Sequence, residues 1–504
     1  MNDKSDYKGQ IEKSLFYDDL YINSESNPDD KIVHPQHSNL VKIPFSRQFL
    51  RQAETSEVEV DQCKIISYKV DKQFDHLEFS FVTLLTNKIT VKKEYQDKCR
   101  IKWTDDLLHN VFKKGYMYFD NKKLPGFDNI SLRIEANKKN LYKYTEKYDI
   151  NIGNNYFLNR WTSEENNHTL PPFELSDILP WFYMKQQTFN LPIFLIRGHL
   201  SQLEHRCVVD LDVCKLLQMQ ILKKDNKWHR IKFKKEYVDM EEKMLDKPKL
   251  WSFYSNTTDD KENVGVKCKE GEDPALPNLR CLYSDPVRYP KGKIYYCDDW
   301  IQNDDTNLNR LGNNCGIECS SNALLKELYW MVENTEMDKY NIYNNFSTNP
   351  ESPLNGFSPI KHSTLKVGQN KEFEMLPGFI TENMTYVAAG YKPPKVPGIN
   401  LYSFSGKQGF VKSSERGLVD TNGDKIKLSL SIYLNNTNPY KMDNENNDSD
   451  FDSEDSNGTK NKKGEFFKLK TRILCSRAVI FYPTGKLDND QHEVFTIKTI
   501  PPIE

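Results

Sequence analysis

The sequence predicts an all-β protein built from sandwiches of antiparallel sheets. Two observations favour this fold class. Most patterned segments alternate apolar and polar residues with the two-residue period of a strand, and long polar segments separate them. The clearest strand is Ile426–Leu434, in which every second residue is aliphatic. Residues 76–81 alternate in the same way, which predicts Leu77, Phe79 and Phe81 on one face.

Four other segments predict strands without strict alternation. Residues 191–200 and 206–211 are short apolar runs bounded by proline, glycine or polar residues, which indicates strands buried on both faces. Residues 467–482 predict one long strand or a bent pair, and residues 494–500 predict another strand near the C-terminus.

Helical signals are few and short. Residues 104–112 have room for two helical turns. The apolar run 324–332 fits a helix or a strand equally well, because periodicity alone does not separate the two for such a run.

Length and composition limit the functional classes. The chain of 504 residues is long enough for about two to four domains. Its aromatic content of 12% is sufficient for packed cores. Its net charge of −2 does not favour binding of nucleic acid over the whole surface. The first 30 residues do not resemble a secretory signal, and we therefore expect the ten cysteines to be mostly reduced thiols.

Three motifs resemble those of the major capsid proteins of nucleocytoplasmic large DNA viruses. The first is the segment 100–110, with Trp103, Thr104 and His109, which leads into an aromatic strand at 116–120. The second is the segment 179–196, and its matching residues are Pro180, Trp181, Phe182 and Pro192. The strand-like segment 203–211 follows it, as in the family.

The third motif lies in the second half of the chain. Glu327 and Trp330 occupy a segment that resembles a strand of the family. A Pro-Gly-Ile-Asn passage follows, and its matching residues are Pro397, Gly398, Asn400, Tyr402 and Phe404. The matches occur in family order and cover roughly residues 60–485.

The resemblance implies two consecutive eight-stranded antiparallel jelly-roll sandwiches, a double jelly roll with long loops and a few short helices. The expected division is an N-terminal arm at 1–35, a first jelly roll at 36–220, a linker at 221–245, a second jelly roll at 246–486 with a mobile acidic loop at 443–463, and a C-terminal extension at 487–504.

The resemblance also implies a function. The chain would be a major capsid protein, without enzymatic activity, whose homotrimers form pseudo-hexagonal capsomers of an icosahedral virion. Its partners would be itself, neighbouring capsomers, minor capsid proteins and an inner membrane, after assembly in the host cytoplasm. Three alternatives stay open: a minor capsid paralogue, a poxvirus-like scaffolding lattice protein, and a two-domain jelly-roll glycan hydrolase or lectin.

Two segments resemble metal-binding motifs, and for each we prefer an interpretation without a bound ion. Cys315 and Cys319 lie near Cys268, Cys281 and Cys297, but a second closely spaced pair for a zinc site is missing. The segment 420–424 resembles the start of a calcium loop but lacks its terminal Glu, so Asn422-Gly423 predicts a hairpin turn. We therefore expect no metal and no cofactor.

The basic segment 223–235 interleaves lysines with Trp228 and Phe233. It fits a contact with nucleic acid or acidic lipid, and it also fits an amphipathic strand with a solvated basic face, which we favour. The sequence contains no GxSxG, P-loop or HExxH motif, and nothing in it nominates a catalytic residue.

Overall fold

The computed structural model describes the chain in sections: 47–60, 63–74, 76–138, 145–154, 160–162, 167–185, 191–196, 199–240, 242–256, 293–302, 305–308, 315–321, 324–335, 337–343, 345–349, 356–367, 370–394, 397–404, 426–434, 467–487 and 493–500. The N-terminal arm 1–35, the acidic loop 443–463, the hairpin at 422–423 and the cysteines at 268 and 281 lie outside the described residues.

The first half of the chain forms a sandwich of two antiparallel sheets. One sheet contains β1 (Arg47–Gln52), β16 (Lys249–Asn256), β4 (His76–Leu85), β10 (Glu174–Asp177) and β11 (Leu191–Pro192). The other contains β2 (Thr55–Val60), β3 (Cys63–Lys69), β12 (Glu204–Val209), β7 (Phe112–Phe119) and β8 (Lys122–Asp128). Aliphatic and aromatic side chains from both sheets form one buried core between them.

Two smaller sheets extend this sandwich. One contains β6 (Cys99–Trp103), β13 (Leu217–Leu222) and β14 (Trp228–Ile231), and the other contains β5 (Ile89–Val91), β9 (Thr169–Leu170) and β15 (Val238–Met240). Strands β14 and β15 lie within 221–245, where we expected a linker. Strand β16 starts beyond the expected boundary, yet it pairs with β1 and β4 and buries Leu250 and Tyr254 in the first core. The strand pairing therefore extends the first sandwich to residue 256.

The second half forms another sandwich. Its larger sheet contains β17 (Lys293–Gln302), β25 (Phe467–Leu487), β20 (Leu324–Asn334), β23 (Asn400–Ser403), β18 (Thr306–Leu308) and β26 (Glu493–Ile500). Its smaller sheet contains β19 (Cys315–Ser321), β24 (Ile426–Leu434), β21 (Ile360–Val367) and β22 (Asn370–Pro377). Strand β25 is a single long strand, which decides between the two alternatives for that segment. Strand β26 confirms the strand predicted near the C-terminus.

Strand β20 is buried on both faces. Leu328, Trp330 and Val332 point into the core between the two sheets of the second sandwich. Tyr329 and Met331 point the other way, into a separate apolar cluster. A strand covered on both sides has no polar face, and its sequence therefore lacks the alternation that distinguishes a strand from a helix.

A bulge changes the faces of β4. Phe253 of β16 lies opposite Phe79, whereas the next residue, Tyr254, lies opposite Leu77, so Glu78 is the extra residue. Phe79 and Phe81 share one face with Phe253, but Leu77 is turned to the other face. The prediction of one common face for Leu77, Phe79 and Phe81 is wrong, because one inserted residue reverses the alternation.

The helices in the described sections are short. They are α1 (Leu107–Val111), α2 (Asn129–Lys138), α3 (Thr145–Ile152), α4 (Val213–Leu216) and a π-helical turn at Ile380–Met384 that continues into α5 (Thr385–Ala388). Single 3₁₀ turns lie at Lys93–Tyr95, Phe182–Lys185, Ile193–Ile196, Lys235–Tyr237 and Met337–Tyr340. None of these described helices has the length and apolar character needed to cross a membrane.

Two of these elements differ from the sequence predictions. The strand expected at 191–200 ends after Pro192, and Ile193–Ile196 form a 3₁₀ turn. Ile193 and Ile196 are both buried, because a three-residue period places them on one side of the turn. Helix α2 was not predicted, since only Ile130 and Ile134 supply its buried aliphatic contacts with the second sandwich.

Candidate functional site at the junction of the two sandwiches

The first motif lies where the two sandwiches meet. Trp103 ends β6 and is completely buried. The Thr104 hydroxyl donates to the main-chain oxygen of Asn341, at 2.9 Å. The Asn341 amide in turn donates to the carbonyl oxygens of Cys214 and Leu217, at 2.7 and 2.6 Å. These bonds attach a turn of the second half to the first sandwich.

His109 holds two elements of the first sandwich together. Its Nε2 lies 3.1 Å from Asp177 Oδ2 in β10 and 3.2 Å from the Tyr148 hydroxyl in α3. His109 is 1% exposed. A His–Asp pair is a common part of hydrolytic sites, but this one is closed to solvent, and its observed contacts position α1 against α3 and β10.

Beside this pair, Asp106 has a backbone conformation that is unusual for a residue other than glycine, with φ at 51°. Its carboxylate binds the Arg133 guanidinium of α2 at 2.7 Å, and the Asn154 amide donates to it. Burial raises the pKa of Asp106, but the charge of Arg133 and the Asn154 hydrogen bond contribute to a net shift below the usual value. These contacts keep the strained turn in place.

The second motif fills the first core. Pro180, Trp181 and Phe182 are buried. The Trp181 ring packs edge-on against Phe127, with centroids 5.2 Å apart. Pro192 is the second residue of β11 and pairs with His76.

A polar chain crosses this core from sheet to sheet. The Ser80 and Ser252 hydroxyls are 2.7 Å apart, the Tyr183 hydroxyl donates to Ser80 at 2.9 Å, and it lies 3.0 Å from His205 Nε2. Burial lowers the pKa of His205 to about 3. Because the Tyr183 O–H is directed at Ser80, the Nε2–H of neutral His205 donates to the Tyr183 oxygen. Protonation would add an N–H at Nδ1, which is buried and has no hydrogen-bond partner among the described residues.

The third motif surrounds the doubly buried strand β20. The carboxylate of Glu327 is fully buried and accepts hydrogen bonds from the Tyr329 and Tyr391 hydroxyls, at 2.7 and 2.6 Å. Trp330 is also fully buried and stacks on Phe373 in β22.

The Pro-Gly-Ile-Asn passage packs against the π-helical turn. Pro397 precedes Gly398, whose φ is 105° and whose N–H donates to Glu382 Oε1. Asn400 accepts from the Thr381 hydroxyl at 2.6 Å and donates to the carbonyl oxygen of Trp330. The passage thus connects the helical turn to β20.

Tyr402 and Phe404 close the same passage. Their rings meet edge-on, with centroids 5.1 Å apart, and both border the second core. The Tyr402 hydroxyl donates to Glu372 of β22 at 2.8 Å. The motif residues of the second half therefore have structural contacts, and they do not gather with those of the first half into one site.

Two buried ion pairs at the junction were missed by the sequence analysis. Arg472 of β25 binds Asp128 of β8, and Arg477 of β25 binds Asp299 of β17, each at 2.6 Å. Asp299 also accepts from the Gly126 N–H in β8. The available signal was two arginines within the mainly apolar stretch 472–481, because a buried strand keeps a charge only if that charge is paired.

The basic segment forms the β13–β14 hairpin and the turn that follows it. The Arg100 guanidinium lies over the rings of Trp228 and Trp161, 4.3 and 5.1 Å from their centroids. Arg230 donates to Gln218 at 2.9 Å. Trp228 thus has a cationic partner within the chain, while the lysines of the hairpin tip are exposed. This arrangement fits the amphipathic strand with a solvated basic face.

No cluster of three or more His, Cys, Asp or Glu side chains suitable for a metal ion is present in the part of the chain that the structure describes. For Cys315 and Cys319 only the strand backbone is described, and Cys297 is buried.

Neither a known family profile nor a curated protein matches the sequence significantly. Solved structures do match. The Faustovirus major capsid protein aligns with a TM-score of 0.57 at 7% identity, over 87% of this chain and 91% of that one. The PBCV-1 virus capsid aligns with a TM-score of 0.54 at 10% identity, over 86% of this chain and 94% of that one. PBCV-1 VP54, fitted into a reconstruction of the virophage Sputnik, aligns with a TM-score of 0.54 at 10% identity, over 89% of this chain and 97% of that one.

The chain has the double jelly-roll fold of these proteins. Its two sandwiches are therefore the two jelly rolls, and the six-stranded sheet of the second jelly roll packs against the first. Short strands such as β11 and β18 bring each described jelly roll above the eight strands expected.

Proposed function

We propose that this chain is a structural virion protein, the major capsid protein of a large DNA virus. In this proposal its homotrimers form pseudo-hexagonal capsomers of an icosahedral shell. The observation that carries it is the alignment of both jelly rolls, in order and nearly end to end, with the Faustovirus major capsid protein and the PBCV-1 capsid.

The junction supports this function physically. A trimeric capsomer keeps a six-lobed outline only if the two jelly rolls of each copy keep a fixed orientation relative to each other. The buried Asp128–Arg472 pair, the Asn341 hydrogen bonds and the shared apolar contacts provide that rigidity. Interfaces held by buried charge pairs and apolar packing resist the domain motion expected for small polar contacts.

The role we propose is not enzymatic. The polar groups that resemble catalytic residues, His109 with Asp177 and His205 with Tyr183, are buried in the first jelly roll. A minor capsid paralogue or a scaffolding lattice protein would share the same fold, and no contact among the described residues favours either. The expected location is the virion capsid, with neighbouring capsomers, minor capsid proteins and an inner membrane as partners, after assembly in the host cytoplasm.

Light scattering combined with negative-stain imaging of the purified full chain tests the proposal. We expect a particle of three times the 59.1 kDa chain mass and class averages with a six-lobed outline. A monomer at micromolar concentration would contradict the capsomer function. A dimer or a compact monomer with glycan affinity would instead support the jelly-roll lectin or hydrolase.

A further inference from the structure

One surface helix of the second jelly roll buries polar side chains and exposes large apolar ones. Between residues 378 and 388, Thr381, Glu382 and Tyr386 point inward and are buried. The outward residues Phe379 and Met384 are 63% and 58% exposed. A helix on a protein surface normally turns its apolar face to the core, so an outward apolar face is the unusual feature here.

The inward polar groups explain why the helix is held in this orientation. Glu382 accepts from the Gly398 N–H and from Ser358, and Thr381 donates to Asn400. These bonds satisfy the buried polar atoms. A rotation that buried Phe379 would break them, and each buried polar group left without its bond costs about 1–3 kcal/mol.

Further exposed apolar side chains belong to segments that adjoin this helix in the chain or are hydrogen-bonded to it. Together they form what we call the apolar patch: Phe357, Met375, Phe379, Met384 and Val387. Phe357 precedes Ser358, which bonds to Glu382 of the helix. Met375 lies near the end of β22, four residues before Phe379. The five side chains are therefore tied to one region of the second jelly roll.

The size and composition of the patch indicate what covers it. The five side chains together expose roughly 500 Å² of mainly apolar surface, which is the size of the largest, often functional, patch on a typical monomer. A stable protein interface buries roughly 800 Å² on each partner, and the core of a homo-oligomer interface is apolar, poor in charge and rich in aromatic residues and methionine. The patch has the composition of such a core and about the area that a core needs inside a polar rim.

We propose that the apolar patch is a contact surface through which one copy of this chain binds a second copy. The inference rests on the proposed capsomer function and adds the location of the contact. In a ring of three copies the contact is heterologous, so the patch of each copy meets a different surface of the next.

Single charge substitutions in the patch test the inference. In Phe379→Asp and Met384→Asp, an exposed apolar side chain becomes a carboxylate that would have to be desolvated on assembly. We expect unchanged far-UV circular dichroism and melting of the isolated chain, but at least a tenfold rise in the trimer dissociation constant, as for an interface hot spot. Leu200→Asp is the matched control, because Leu200 is fully exposed and belongs to the first jelly roll.

The possible results separate this inference from the proposed function. If the wild-type chain is a trimer and both patch variants lose it while Leu200→Asp keeps it, the patch is the contact surface. If the patch variants also remain trimers, the inference is wrong and the capsomer function stands. If the wild-type chain is itself a monomer, the capsomer function is wrong, and the inference with it.

Discussion

The Nε of Arg472 donates to Oδ2 of Asp128 over 2.6 Å, and this buried ion pair joins the long strand β25 of the second jelly roll to β8 of the first. Arg472 → Met leaves the Asp128 carboxylate buried without its cation. Loss of one partner of a buried pair costs about 3–5 kcal/mol, which urea unfolding of the full chain measures. The double variant Asp128→Leu with Arg472→Met should recover part of that loss.

The surface pair Lys69–Glu54 is the control for that experiment. Its atoms are 3.5 Å apart and both side chains are exposed to solvent. Lys69→Met should change the free energy of unfolding by less than about 1 kcal/mol. Equal effects of Lys69→Met and Arg472→Met would show that the junction pair does not hold the jelly rolls together.

His205 should make the stability of the first jelly roll depend on pH. Its pKa is lowered to about 3 in the folded chain, against about 6.5 in the unfolded chain. The unfolded state therefore binds a proton first, and stability is lost as the pH falls from about 6.5 towards 3. The contribution of one such group is at most about 1.4 kcal/mol for each pH unit.

The variant His205→Gln removes this titration and keeps an N–H donor for the Tyr183 oxygen. Other groups titrate in both proteins, so the measured quantity is the difference in slope between the two curves of stability against pH. We expect the variant to lose less stability than the wild-type chain between pH 6 and pH 4. Parallel curves would mean that His205 is not kept neutral by burial.

Gly398 occupies a position that no side chain can share. Its φ is 105°, and a Cβ there would lie 2.1 Å from the carbonyl oxygen of Phe346. Gly398→Ala should cost well over about 1 kcal/mol, because the clash adds to the backbone strain. Gly390→Ala is the control, since Gly390 has a positive φ of 84° on an exposed turn. A smaller loss of melting temperature for Gly398→Ala than for Gly390→Ala would contradict the close approach.

Trp181→Ala should destabilise the first jelly roll by about 3–5 kcal/mol and lower the soluble yield, since the fully buried indole contacts Phe127 and His205. Trp103 and Trp330 are equally buried, and the same change should have a similar effect there. Trp161→Ala is the control, because Trp161 is only half-buried and its loss should cost less stability. A soluble Trp181→Ala variant with the wild-type melting temperature would show that the indole does not support the core.

The motif tryptophans show how much of the core was predictable. Trp103, Trp181 and Trp330 each belong to one of the three sequence motifs, and all three are fully buried. A large apolar ring flanked by strand-like residues has only the core as a favourable location. The motif sequence did not reveal the contacts of His109 with Asp177 or of Glu327 with Tyr391, because those partners are 68 and 64 residues away.

The sequence by itself determined the all-β class and the strands with a clear pattern, such as β24 and β26, because alternation is a local property of the chain. Only the tertiary structure decided which sandwich contains β16, that β20 is a strand, and that Asp128 meets Arg472. Each of these depends on a surface supplied by residues far away in the chain. Burial on both faces removes the alternation from β20, and a charge in a buried strand such as β25 is explained only when its partner is located.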